Sequence, residues 1–85
     1  MIENRMYSTG DYSSYKKLMS LPPASKFILY LLKRLGPLPL KDIVKKSLLP
    51  KRTVVYSLKR LREEEFVRKL THDRDKRLRI YETLI

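Results

Sequence analysis

Twelve residues in the middle of the chain concentrate its chemistry. The run Lys51-Arg52-Thr53-Val54-Val55-Tyr56-Ser57-Leu58-Lys59-Arg60-Leu61-Arg62 carries five cationic side chains and no carboxylate. At 100° per residue, Arg52, Tyr56 and Lys59 share one face, flanked by Lys51, Thr53, Val55 and Arg60. Val54, Ser57, Leu58 and Leu61 fall opposite, with Glu65 near them. Such a basic face does its chemistry without covalent bonds. Arg and Lys donate to phosphate oxygens and to guanine O6 and N7, Thr and Val meet a thymine methyl, and a Tyr hydroxyl donates to phosphate. A face that is merely solvated usually mixes charge signs in i,i+4 pairs. Here the acids come only afterwards, as Glu63-Glu64-Glu65. Three consecutive carboxylates on a helix point in different directions and make neither an acid–base pair nor a metal site.

Two other clusters could serve the same chemistry. Arg74, Lys76, Arg77 and Arg79 gather around a polar segment near the C-terminus, where they could reach phosphates or a narrow minor groove. Asp73 and Asp75 stand among them and could instead pair with the arginines. Lys41, Lys45 and Lys46 are candidates for flanking phosphate contacts, although lysines are common on exposed helix faces.

The rest of the composition removes rival chemistries. The chain of 85 residues has 20 Lys+Arg against 9 Asp+Glu, a net charge of +11. Residues 21–62 hold eleven of the basic residues and one acid, so the positive field belongs to the middle of the chain. A polyanion is the natural partner, nucleic acid or an anionic membrane surface. The second is disfavoured, since the longest apolar stretch, Phe27–Leu32, has six residues, far short of a membrane span. There is no Cys, and His72 is the single His, so thiolate sites, a His-based metal site and nucleophile–His pairs lack material. Gly10 and Gly36 are the only glycines, which leaves no glycine-rich phosphate loop. No enzyme, metal or cofactor is expected. The N-terminus lacks the apolar core of a secretory signal, so a cytoplasmic protein is expected.

Elements that position these residues follow from pattern and punctuation. Residues 1–10 are polar and are expected to be frayed or disordered, and residues 11–85 to form a single domain. Asp11 caps a short helix over 12–19, whose stripe Tyr12, Tyr15, Leu18 and Met19 packs on the core or on a partner. Pro22-Pro23 ends it and opens a helix over 24–35, with Phe27, Ile28, Leu31, Leu32 and Leu35 on its inner face. Gly36 is expected in the left-handed C′ position, with Pro37 blocking continuation. A short helix over 40–47 with Leu40, Ile43 and Val44 inward, the connector Leu48-Leu49-Pro50, and a helix to about Glu64 match a helix-turn-helix. Residues 66–70 and 77–83 alternate around a polar turn and predict a β-hairpin, with Leu78, Ile80 and Thr83 facing away from Arg77, Arg79 and Tyr81. The predicted class is α+β, mainly α: three core helices, a two-stranded hairpin wing and a short extra N-terminal helix.

That order of elements looks like a winged helix. The strings Leu21-Pro-Pro-Ala-Ser-Lys26, Gly36-Pro-Leu38, Leu49-Pro-Lys-Arg-Thr-Val54, Leu58-Lys-Arg-Leu61 and Glu63-Glu-Glu-Phe-Val67 resemble MarR-like winged-helix regulators, particularly the small forms common in archaea. Asp75-Lys-Arg77, followed by Ile80 and Thr83, is similar to that family's Asp-x-Arg wing signature. The resemblance covers roughly residues 20–84. It implies a homodimeric transcriptional regulator of double-stranded DNA, with Arg52, Thr53, Tyr56, Lys59 and Arg60 on the reading helix and Arg77 on the wing. Position 55, often basic in such helices, is Val here. Position 65, usually Gly, is Glu; a left-handed non-glycine residue costs about 1 kcal/mol, which leaves a different turn open. The long flanking helices of larger relatives, which bind small phenolic ligands, have no counterpart, so no effector is expected. Dimer contacts would fall to Tyr12, Tyr15, Leu18 and Met19, to the tail residues Tyr81, Leu84 and Ile85, and to the first long helix. A winged helix also serves as a module for RNA, non-specific DNA or protein interaction, which remains the alternative.

Overall fold

Prolines set where the helices begin. Pro22, Pro39 and Pro50 each occupy the N-cap in extended conformation, with ψ of 154°, 155° and 146°, and none supplies a side-chain cap. The structure, a computed structural model, describes residues 16–71 and 78–85. Within it, residues 16–19 are helical; the earlier half of the helix expected over 12–19, and the segment expected to be frayed, lie outside the described residues. Then follow helix α1 (Pro23–Leu35), strand β1 (Leu38–Pro39), helix α2 (Leu40–Ser47), helix α3 (Lys51–Glu63), strand β2 (Val67–Thr71) and strand β3 (Arg79–Thr83). The fold is mainly helical with a small antiparallel sheet.

α1 is the central support and packs against α2, α3 and β3. It buries Ser25, Ile28, Leu29 and Leu32. The helix is therefore rolled away from the face expected: Phe27 and Leu35 are exposed, Leu31 is half-buried, and Leu29 takes the inner place. At 100° per residue the face centred on Ser25, Ile28, Leu29 and Leu32 leaves Phe27 on the opposite side, whereas Leu35 lies near the azimuth of Ile28 but is the last residue of the helix, beyond the packed turns. In α3 the buried set is Val54, Ser57, Leu58 and Leu61, as the periodicity predicts. Glu65, expected near that side, is exposed. Ile43 and Leu40 of α2, with Leu21, Phe66, Val67 and Tyr81, complete the core, and Val44 packs on it half-buried.

The sheet has three strands in the order β1-β3-β2, one more than the hairpin predicted. β1 is two residues long, pairing Leu38 with Tyr81 and Pro39 with Ile80. A proline is tolerated there because β1 is an edge strand. Gly36 feeds it: its φ of 88° and ψ of −171° are not the left-handed helical cap expected but an extended, glycine-only conformation that turns the chain straight into the strand. The alternation along β3 is also inverted relative to expectation. Tyr81 is buried at 6% exposure, and Ile80 is only half-buried. The central strand faces α1 with the residues in line with Tyr81, so the large aromatic, rather than the aliphatic neighbour, fills the space beneath the helix.

α3 ends in a Schellman motif. The Phe66 N–H donates to Leu61 O at 2.9 Å and the Glu65 N–H to Arg62 O at 3.0 Å. Glu65 adopts φ 63°, so the left-handed turn is kept although the residue is not glycine.

Two substitutions test these backbone positions. Gly36→Ala meets no atom within 4 Å of the added Cβ, so its effect is conformational. It is expected to lower the unfolding free energy by about 1–3 kcal/mol in urea titration. Glu65→Gly removes the left-handed penalty against a larger unfolded-state entropy and is expected to raise it by about 0.5–1 kcal/mol.

Candidate nucleic-acid interface

Burying the Val54–Leu61 stripe turns the opposite side of α3 to solvent. Lys51, Arg52, Val55, Tyr56 and Lys59 are exposed, Tyr56 at 63%, while Thr53 and Arg60 are half-buried. Arg60 is not free: its Nε lies 3.6 Å from Glu64 Oε2, one helical turn on. The remaining face combines two cations at the helix start, one at its middle, an exposed aromatic hydroxyl and an aliphatic patch at Val55. That set can hold an anionic backbone and meet base edges at the same time.

The turn before α3 fixes how the helix projects. The buried Ser47 Oγ donates to Val44 O at 3.3 Å and accepts from the Leu49 N–H at 3.2 Å. Leu48 takes the left-handed conformation, φ 61°, and its side chain is 90% exposed. Glycine would hold this φ without strain. Ser47 holds the residues on either side of Leu48, so the turn is tight without one.

Lys41, Lys51 and Arg79 line one recess of about 290 Å³, together with Leu40 and Leu78. The recess thus joins the starts of α2 and α3 to the base of the wing. Neither helix start is capped by a side chain, and α3 has no acid in its first turn. Unpaired N–H groups, the positive dipole end and three cations combine there into a field that suits a phosphate. Asp42 in the first turn of α2 is the one nearby carboxylate on that helix. Lys45 and Lys46 are exposed at the other end of α2, outside the recess. The β1–β3 pairing holds the recess together, because Pro39 pairs with Ile80 immediately before α2 begins.

Of the wing cations, Arg79 is exposed on β3; Arg74, Lys76 and Arg77 lie outside the described residues. So do Tyr12 and Tyr15 of the expected dimer surface. Met19, Leu84 and Ile85 are exposed, and Leu18 packs half-buried against the chain's own core. Tyr81 is withdrawn from that surface, because its ring is core and cannot meet a partner. Three features escape the sequence reading: the proline N-caps that leave helix starts open, the strand β1, and the exposure of Phe27 and Leu35 on α1. The prolines themselves were the available signal for the first. Among the described residues no group of His, Cys, Asp or Glu is placed to hold a metal, and no helix is long and apolar enough to cross a membrane.

Residues 21–78 match the MarR family. No curated protein matches the sequence. Among solved structures, the YusO protein from Bacillus subtilis is 22% identical with a TM-score of 0.70, over 84% of this chain and 50% of its own. The adhesin competence repressor from Streptococcus pyogenes is 19% identical with a TM-score of 0.70, over 87% and 55%. A mutant MarR from E. coli complexed with operator DNA is 15% identical with a TM-score of 0.69, over 94% and 66%. The chain therefore spans about half to two thirds of the length of these structures and shares their fold. With the match running from Leu21 to Leu78 through all three helices, the chain belongs to the MarR family.

Proposed function

We propose that this protein is a cytoplasmic transcriptional regulator that binds specific sequences of double-stranded DNA as a homodimer. The observation that carries this reading is the outward face of α3, basic, free of acid in its first turn, and rolled to solvent by the buried stripe behind it. Arg52, Thr53, Val55 and Tyr56 enter the major groove, and Lys51 and Lys59 flank it. Lys41, Lys45, Lys46 and Arg79 contact phosphates, and Arg74, Lys76 and Arg77 of the wing reach the minor groove or its backbone. Two copies read half-sites about one helical turn apart. Among the described residues, Met19, Leu84 and Ile85, together with the exposed Phe27, Tyr30 and Leu35 of α1, are left to the dimer contact.

Selection from random duplexes is expected to return a palindrome with that spacing. Arg52→Ala is expected to cost about 1–3 kcal/mol on the selected site at about 0.15 M salt and to relax the preference at one position. Unchanged binding would sink the reading-helix assignment. Lys41→Gln is expected to weaken all duplexes alike and reduce the log–log salt slope by about one unit. Sedimentation of the free protein checks the dimer; a monomer at every concentration that saturates the palindrome would remove it. Glu64→Gln releases Arg60, so duplex affinity at low salt is expected to rise, while stability falls by no more than about 0.5 kcal/mol.

A further inference from the structure

Of the two outer strands of the sheet, β2 offers the longer open edge. In the order β1-β3-β2, β2 pairs with β3 alone among the described residues. The direction of its unused backbone groups follows from one hydrogen bond. The Leu84 N–H donates to Phe66 O at 2.8 Å, which makes 66 and 84 a hydrogen-bonded pair. Antiparallel alternation then makes Arg68–Glu82 and Leu70–Ile80 the next such pairs. The N–H and C=O groups of Val67, Lys69 and Thr71 consequently point away from β3, toward the open edge.

Beside that edge runs a groove of about 570 Å³ between the last turns of α3 and the start of β2. Val67 and Leu84 give it apolar lining, and Arg62, Lys69, Glu63 and Glu65 supply charge. In all, four cations and two carboxylates line it. One cation, Arg68, is held by Glu82, whereas Arg62 and Lys69 make no ion pair among the described residues. The site therefore offers a ladder of alternating donors and acceptors, an apolar lining and surplus positive charge.

We infer that this edge and groove form a docking site for an extended acidic segment of a partner protein, which adds to the sheet as a fourth strand. A polypeptide fits because it matches donors and acceptors alternately, and its alternate side chains enter the groove. A phosphodiester backbone offers acceptors only and leaves the outward carbonyls of β2 unsatisfied. A second copy is opposed by charge: an antiparallel β2–β2 pairing about a twofold axis through residue 69 sets Lys69 against its equivalent, one centred on 68 does the same for Arg68, and like charges across strands destabilise the pair. The site does not depend on the DNA-binding reading, and its failure would leave the Arg52-dependent behaviour untouched.

The test uses the intact protein and a dye-labelled synthetic peptide alternating Asp or Glu with Val, followed by fluorescence anisotropy and amide hydrogen exchange. Saturable binding below about 1 mM is expected, with slowed exchange at Lys69 and Thr71. The same peptide N-methylated at alternate residues, and one carrying Lys in place of the acids, are expected to lose binding. Lys69→Pro removes an outward donor and leaves the β3 ladder intact, so it is expected to weaken binding about tenfold, more than Lys69→Gln does. Should Lys69→Pro fail to fold, the N-methylated peptide decides the matter on the unaltered protein. Equal affinity for parent and N-methylated peptides, or no saturable binding, would overturn the proposal and leave the basic edge as a guard against aggregation. Protection of the same amides by duplex DNA and not by the peptide would also overturn it.

Discussion

The roll of α3 about its own axis is the constraint on which the rest of the molecule depends. Four residues set it. Val54, Leu58 and Leu61 are almost completely removed from water, and Ser57 goes with them at 2% exposure. Turning the helix by one residue position would bring Val55 inward but also carry Lys59 or Arg62 toward the core. Burying an unpaired cation costs far more than an exposed valine gains. The alternatives are thus excluded by charge as much as by packing. The basic face is fixed before any ligand arrives, so no ordering of α3 has to accompany binding.

Around that helix, the prolines and the short strand β1 perform related work. An N-cap Ser, Thr, Asp or Asn would stabilise each helix by about 1 kcal/mol. Instead Pro22, Pro39 and Pro50 fix the entry geometry and leave the first-turn N–H groups without side-chain partners. For α2 and α3 those groups border the recess shared by Lys41, Lys51 and Arg79. A carboxylate cap would place negative charge where an anion otherwise fits. The lost capping energy and the uncancelled positive field at these helix starts are two sides of one choice of residue. β1 then aligns the recess, because the pairings of Leu38 with Tyr81 and Pro39 with Ile80 join the two residues before α2 to β3.

Much of this was legible in the sequence, and the failures have identifiable causes. The inner stripe of α3 was legible because only one rotation separates its aliphatic residues from five cations. The hairpin was legible from two alternating runs around a polar turn. The roll of α1 was not, because the run Phe27–Leu32 is apolar on every side and periodicity has nothing to choose between. Its resolution came from tertiary partners: Ile28, Leu29 and Leu32 face inward, while Tyr30, half apolar by nature, stays out. Tyr81 was misplaced for a similar reason. Tyr81 and Ile80 are neighbours of comparable bulk, and a slip of one residue exchanges which of them enters the core. β1 could not be read at all, since two residues, one of them proline, carry no strand period. On the outward side of α3, Lys51, Arg52, Val55, Tyr56 and Lys59 are exposed as the periodicity predicts, whereas Thr53 and Arg60 are half-buried and Arg60 pairs with Glu64, a contact that periodicity alone does not reveal.

Phe66 shows how the reading helix and the wing become one body. Its ring is buried at 3% exposure. Its N–H closes the helix on Leu61 O, and its carbonyl accepts the Leu84 N–H at the open end of the hairpin. One residue therefore terminates α3, begins the strand region and anchors both strands at their junction. The left-handed Glu65 just before it is the strain this junction requires: a chain that must leave a helix and present Phe66 inward within two residues has to reverse its backbone twist. Two hydrogen bonds and a buried aromatic ring outweigh a penalty of about 1 kcal/mol, so the turn holds without glycine. The distance between the helix face and the wing strand is consequently set by short-range bonds rather than by a flexible linker.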